Sequence, residues 1–414
     1  MRNVAGRLGT RVVNHLGLQA GDRYRTVAEE RIVEHLTLHG WAHEWRAGLH
    51  SESVAAAREA LERWIGHGLA YAPGRDGAGR AFDPAEVVNF CKTAALDAND
   101  PIWRERFVAT GRKLVEEHGR HAGLRFSLVL ARTFDLSRHA PGAQLRLRLP
   151  LPLAEARLRV SAPAEVTRQE RRAGRLELRA TVPSSRSTLT VSVELEFASP
   201  ATPNDDDETA LYLRPEEGLV RVTPRVASLA RKLAAGKTAF DAVRAFWQFL
   251  FEMRLGVLHY DELSGGVPIE SLLEHRWFDC HLGSALFVAL CRAREIPARL
   301  CAGYLLYPAA PTYHYWAEAF VEGRWSGFDL GSWDLSAGGA DPAWRSYFFD
   351  YLNPRMQTER FPRSFTGTGS LRFPPAWHLL VRPVTGGAAF GFYSVDSGDL
   401  LYEDCLTSIK ASPL

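Results

Sequence analysis

The chain has 414 residues, 46% of them apolar and 24% charged, with a formal net charge of +2. That length exceeds one ordinary core and implies two or three domains. The near-neutral charge excludes a broad basic surface for nucleic acid, so no nucleic-acid partner is expected.

Residues 1–123 read as a helical N-terminal region. Thr26-x-x-Glu29 has the form of a capping box. Ala55 to Leu69 places Leu61, Trp64 and Ile65 on one face. Asp83-Pro84-x-Glu86 supplies a helix start, with an N-cap, a proline in the first turn and then an acid.

The period changes over 124–200. Leu145, Leu147, Leu149 and Leu151 alternate with Arg146, Arg148 and Pro150, and Leu189, Val191, Val193, Leu195 and Phe197 continue the period of two. This predicts a small antiparallel β-domain with one wet face. Ser199 to Glu208 is a linker; its acid run Asp205 to Glu208 lacks the spacing of a calcium loop and reads as solvated.

Residues 209–414 form the third region. Thr223-Pro224 and Thr238 each begin a helix, the second presenting Phe240, Val243, Trp247 and Leu250 inward. A third helix runs from Cys280 to Ala293. Strands follow at Arg299 to Tyr307, His314 to Val321 and Trp325 to Asp329, the last two joined by Glu322-Gly323. The tail is aromatic, with a hairpin signal at Asp396 to Asp399.

Five cysteines, an odd and scattered set without CxxC, argue for a reducing compartment and against a disulfide framework or structural zinc. No apolar run reaches ~18 residues, and Met1 to Ala20 lacks a signal-peptide core. The expected location is therefore cytoplasmic, with no membrane partner.

Cys280 follows Asp279 and opens an apolar helix. The unpaired N–H groups and dipole there favour thiolate, the form that attacks a carbonyl. A two-residue turn at Glu322-Gly323 sets Ala319 opposite Ser326 and Ala317 opposite Phe328. Asp329 is then the diagonal neighbour of His314 on one face, ~7 Å away at Cα. The carboxylate would fix the imidazole tautomer and leave the other nitrogen for the thiol. Trp316 points to the same face and could shield the pair. Taken singly, each residue has a bland reading: a core cysteine, a satisfied histidine, a turn acid. Cys291 and Cys301 read as core. His281 could join Cys280 on a metal, but no further ligands have suitable spacing, so neither metal nor cofactor is expected.

Asp279-Cys280 through Cys291-Arg292-Ala293, Ile296-Pro297-Ala298-Arg299, His314-Tyr315-Trp316 and Trp325 to Asp329 together resemble the core of the transglutaminase-like superfamily. The resemblance spans about fifty residues and implies an α+β, papain-like fold for the catalytic core, with Cys280, His314 and Asp329 catalytic. It also implies an aromatic oxyanion-hole donor, a place held here by Tyr260, beside the backbone N–H of Cys280. Two departures stand out. Phe278 replaces a glycine two before the cysteine, which would narrow the entrance. Leu330 replaces a proline after the aspartate. Trp277, Phe278 and Trp316 would shield the site, with Trp333, Trp344, Tyr347, Phe348, Phe349 and Tyr351 from the tail. A dry site favours an amine over water. With the run Phe373 to His378 and the helical N-terminus, this is similar to homologues that form amides in bacterial antibiotic assembly lines. The implied partners are an acyl donor and an amine, tethered to carrier proteins. A thiol protease or amidase, and a non-catalytic interaction protein keeping the fold, stay open.

Overall fold

The computed structural model describes residues 27–30, 32–33, 51–74, 77–83, 86–87, 90, 123–137, 139–172, 174–199, 209–256, 267–306, 312–330, 355–361, 378–381, 390–396 and 400–414. Helix and strand are mixed throughout, an α+β architecture.

In the N-terminal region, helix α1 (Ser51–Gly66) buries Ala57, Ala60, Leu61 and Trp64 at helical spacing. They pack on Ile32, Val33, Phe82, Val87 and Phe90. The region is not purely helical. Val27–Ala28, Ala72–Pro73 and Arg80–Phe82 form a three-stranded antiparallel sheet. Gly77 and Gly79, both at positive φ, make the turn before Arg80. Val27 and Ala28 are therefore extended where the capping box predicts a helix start, and Thr26 lies outside the described residues. The Glu29 carboxylate accepts from Arg80 Nε at 2.6 Å. Beyond Asp83, its carbonyl accepts from the Val87 N–H, the helical turn the sequence predicts.

The middle of the chain is a β-sandwich. Its strands are β1 (Leu124–Asp135), β2 (Gln144–Pro150), β3 (Ala156–Ser161), β4 (Val166–Arg172), β5 (Arg175–Thr181) and β6 (Thr188–Ser199). Strand β1 pairs with β6 without a break from Leu124↔Ser199 to Asp135↔Thr188. The period-two leucines and valines meet inside: Leu147, Leu149, Leu176, Leu178, Leu189, Val191, Val193 and Leu195 are all buried. Each such side chain contributes roughly 1.5–3 kcal/mol by leaving water.

The third region begins with helices α2 (Pro224–Leu233), α3 (Ala239–Leu250), α4 (Pro268–His275) and α5 (Cys280–Arg292). Thr223 and Thr238 cap the first two, accepting from the N–H groups of Val226 and Asp241. Strands β7 (Ala298–Leu305), β8 (Thr312–Val321), β9 (Arg324–Phe328) and β10 (Arg355–Arg360) form an antiparallel sheet in the order β9-β8-β7-β10. Helix α5 packs on the small side chains Ala298, Ala317 and Ala319. Gly283 lets it approach closely: a Cβ there would lie 2.5 Å from Phe278 Cδ2 and 2.7 Å from Leu330 Cδ1. Glu322 and Gly323 both have positive φ, as a two-residue hairpin turn requires. The register is the predicted one, Ala319↔Ser326 and Ala317↔Phe328.

The last strands, β11 (His378–Val381), β12 (Phe390–Asp396) and β13 (Leu400–Pro413), add to the sandwich in the order β11-β12-β13-β1-β6-β3. Strands β12 and β13 flank the predicted hairpin turn and pair from Asp396↔Leu400. The sequence reading attaches this tail to the catalytic region; β13 instead pairs with β1 along nearly its full length, bulging between Thr407 and Lys410. Strand β10 joins sandwich and catalytic sheet. It pairs with β7, its Gln357 carbonyl accepts from Leu153 N–H at 2.8 Å, and Met356 enters the sandwich core beside Tyr304 and Leu306. No helix of the described residues is long and apolar enough to cross a membrane.

Candidate active site

Cys280 is the first residue of α5, half-buried at the point where the helix meets solvent. Asp279 caps the helix, accepting from Leu282 N–H at 2.7 Å. The two other free cysteines of the described residues, Cys291 and Cys301, are buried, and burial pushes both thiols up. They are core residues, as the sequence suggests. Cys91 and the side chain of Cys405 lie outside the described residues.

His314 is 7% exposed and Asp329 2%. Asp329 Oδ1 is 2.7 Å from His314 Nε2, as the diagonal relation across the β8–β9 register predicts. Cys280 lies close enough to the same ring for its charge to act on it. With Nε2 engaged by the carboxylate, Nδ1 is the nitrogen left for sulfur. Burial by itself would lower the His314 pKa. The negative charges of Asp329 and Cys280, with the hydrogen bond to Asp329, outweigh it and raise the value to about 10.

Arg355, from the edge strand β10, donates through Nη2 to Asp329 Oδ2. Its guanidinium carbon sits 4.8 Å from the centre of the Trp316 ring, and Trp316 is 1% exposed. The sequence reading missed Arg355 altogether; nothing in the stretch Arg355 to Arg360 marks it. It also missed a second polar group on the sheet. Arg299 donates to Glu318 at 2.7 Å with its head group 3.9 Å from the Trp325 ring centre, and Gln357 donates to Glu318 at 3.1 Å.

The remaining expectations fare differently. Trp316 lies against the Asp329–Arg355 pair. Trp277 is partly buried between the core under α5 and the N-terminal cluster. Phe278 does not narrow an entrance: it is fully buried in the core, against Gly283. The short parallel pairing of Trp277–Phe278 with Arg254–Leu255 turns it inward. Tyr260, Trp333, Trp344, Tyr347, Phe348, Phe349 and Tyr351, the run 373–377 and the acid run 205–208 lie outside the described residues. His281 stacks on Tyr315, ring centres 3.9 Å apart and planes within 4°. Burial drops its pKa to about 3. No group of histidine, cysteine and acidic side chains among the described residues is arranged to hold a metal ion.

Residues 227–330, which contain α5, β7, β8, β9 and these three side chains, match the transglutaminase-like superfamily. That segment of the chain thus carries a transglutaminase-like core. Three solved structures are distantly similar. A candidate cysteine protease from Cytophaga hutchinsonii is 17% identical, over 70% of this chain and 88% of its own, with a TM-score of 0.35. The periplasmic domain of TgpA from Pseudomonas aeruginosa is 19% identical, over 54% of this chain and 92% of its own, with a TM-score of 0.29. A candidate protease from Parabacteroides distasonis ATCC 8503 is 10% identical, over 69% of each chain, with a TM-score of 0.27. No curated protein matches the chain.

Proposed function

We propose that this protein transfers an acyl group through a thioester on Cys280 and delivers it to an amine, making an amide. The observation that carries the reading is the buried, hydrogen-bonded His314–Asp329 pair beside a half-buried cysteine at a helix N-terminus. The Cys280 thiolate attacks the donor carbonyl. As the new S–C bond forms and the donor's C–S bond breaks, the imidazolium of His314 gives its proton to the leaving thiolate. The neutral imidazole then takes a proton from the attacking amine. The N–C bond forms, the bond to Cys280 breaks, and thiolate and imidazolium are restored. Asp329 holds the ring in the tautomer both steps need. The backbone N–H of Cys280 and the side chain of Tyr260 are the proposed oxyanion donors.

The deep burial of His314, Asp329 and Trp316 supports an amine acceptor, since the proton-handling side of the site is dry. Donor and amine are proposed to arrive on carrier proteins, as in the amide-forming homologues the sequence resembles. The free thiols of Cys280, Cys291 and Cys301 support a reducing, cytoplasmic setting. The partial exposure of Cys280 favours a second reading, hydrolysis by a thiol protease or amidase, because water can reach the sulfur.

Intact-protein mass spectrometry with a carrier-protein thioester, with and without an amine, separates these. An adduct at Cys280 that becomes an amide supports synthesis. An adduct that only hydrolyses with every amine tried supports the protease or amidase. No adduct from thioesters, esters or peptides, in a folded protein whose Cys280 alkylates slowly, leaves a non-catalytic protein.

A further inference from the structure

We propose that Arg355 is a positioning residue of this site, holding Asp329 in the orientation that fixes His314 and anchoring that orientation in the β-sandwich. The inference rests on the acyl-transfer reading and adds a fourth residue to it.

Asp329 needs a support that its own strand does not give. Strand β9 ends at Phe328, the last residue of the pairing with β8, so Asp329 stands just past the ladder. A carboxylate held by one oxygen can turn about its last torsion and present either oxygen to the ring. Here both oxygens are taken, one at His314 Nε2 and one at Arg355 Nη2. Two bonds from opposite sides define the carboxylate plane. Arg355 and Asp329 are 3% and 2% exposed at the side chain, so solvent does not screen the bond. The flat face of Trp316 sets the tilt of the guanidinium. Among the described residues its Nε and Nη1 make no hydrogen bond, so the carboxylate is what holds the head group.

The root of the clamp lies in the other domain. The Arg355 backbone N–H donates to Ser199 Oγ, at the end of β6, at 3.3 Å. Met356 is fully buried in the sandwich core, and Leu153 N–H holds the Gln357 carbonyl. Arg355 thus connects the sandwich to the imidazole by a side chain, beside the backbone route through β7, whose Tyr304 lies in the sandwich core and whose Gly303 pairs with His314.

The charge has a readable consequence. His314 is faced by Cys280 from α5 and Asp329 from beyond β9, with Arg355 of β10 behind the aspartate. Strand β7 puts only Gly303 opposite it, and His281 of α5 is neutral at ordinary pH. Arg355 offsets part of the pull of Asp329 on the imidazolium. Its removal makes His314 hold its proton to higher pH.

The test uses the full chain with Arg355→Gln, Arg355→Lys, Asp329→Asn and the double variant Asp329→Asn/Arg355→Gln. One probe is an N-acetylcysteamine thioester with hydroxylamine as acceptor, giving kcat and KM. The other is inactivation by iodoacetate, whose negative charge favours the imidazolium form, so its alkaline limb reads the loss of the His314 proton. Arg355→Gln is expected to lower kcat roughly 10- to 100-fold with KM unchanged, the size seen when a supporting partner is removed, and to move the alkaline limb upward. Arg355→Lys keeps the limb in place and loses kcat less. In the Asp329→Asn background, Arg355→Gln adds no further loss, because the aspartate it positions is gone. A folded Arg355→Gln with wild-type kcat and limb overturns the proposal, as does a loss that multiplies on that of Asp329→Asn. Should Arg355→Gln fail to fold, the lysine variant and the double variant, which removes both charges together, carry the same decision. A wild-type Cys280 that alkylates no faster than Cys91 or Cys405 overturns the acyl-transfer reading itself, before any variant is compared.

Discussion

The sandwich and the catalytic sheet are joined at β10, yet they bury charge to different extents. In the sandwich, apolar side chains alternate inward to a core of Leu147, Leu149, Leu176, Leu178, Val191 and Val193, and Arg132 and Glu177 are the charged side chains buried on its strands among the described residues. In the catalytic region, Arg292, Arg299, Asp329 and Arg355 are all buried. Buried charges are retained only where each is paired or hydrogen-bonded, and they add little net stability over well-packed apolar residues. Asp329 and Arg355 meet at His314, while Arg292 pairs with Glu217 and Arg299 with Glu318, so geometry, and not burial, decides which of these side chains the fold keeps.

The comparison predicts that substitutions in the two regions fail differently. Cys280→Ala should remove the thioester adduct and cost roughly 10⁶-fold in kcat, while the protein melts at its wild-type temperature. A residual adduct by mass spectrometry would mean that another thiol is the nucleophile. Asp329→Asn should cost roughly 10⁴-fold in kcat by disordering the tautomer of His314. Unlike Cys280→Ala it should also cost about 3–5 kcal/mol of stability, because the buried Arg355 loses its counter-charge. Denaturant melts check the second half of that statement, and an unchanged midpoint would show that Arg355 finds another partner.

In the sandwich, Leu178→Ala should cost about 2–5 kcal/mol and leave kcat per folded molecule untouched. Leu178 is 1% exposed and pairs with Leu147 across β5 and β2. Equal losses of kcat and stability there would make the sandwich part of the site in a way the Arg355 connection does not explain.

What the sequence disclosed follows the same division. The register of β8 and β9 was readable because Glu322-Gly323 admits one kind of turn, and that turn places Asp329 diagonal to His314. The sandwich strands were readable from their period of two. Arg355 was not, because it lies 26 residues beyond its partner on a strand, Arg355–Arg360, with no apolar alternation. The pairing of β13 with β1 was hidden for a related reason: strand partners are chosen by the assembled sheet, and nothing local in Leu400–Pro413 names Leu124–Asp135. Phe278 was misread because its place before the nucleophile says nothing of its direction, which the pairing with Leu255 decides.

The smallest effect compares two histidines within the catalytic region. His281 and His314 are both buried, but burial lowers the pKa of His281 to about 3, whereas Asp329 and Cys280 override burial at His314 and raise it to about 10. An unfolded histidine titrates near ~6.5. For His281, the stability tied to its neutral ring is present above ~6.5 and is lost as pH falls from there toward 3, since only the unfolded chain takes up the proton. For His314 the sign is reversed: its contribution is present below ~6.5 and is lost as pH rises toward 10. At about 1.4 kcal/mol per pH unit, His281 should cost about 2 kcal/mol between pH 6.5 and 5. His281→Phe keeps a flat ring on Tyr315, at the same 3.9 Å stack, and removes the titration. Urea melts of the wild type and this variant at pH 6.5 and 5 should differ in slope by that amount, with the variant the flatter. On the alkaline side the two proteins should lose stability in parallel, because His314 is unchanged in both. Parallel curves on the acid side would mean that the imidazole of His281 is charged in the folded protein and paired with a group that the stack on Tyr315 does not reveal.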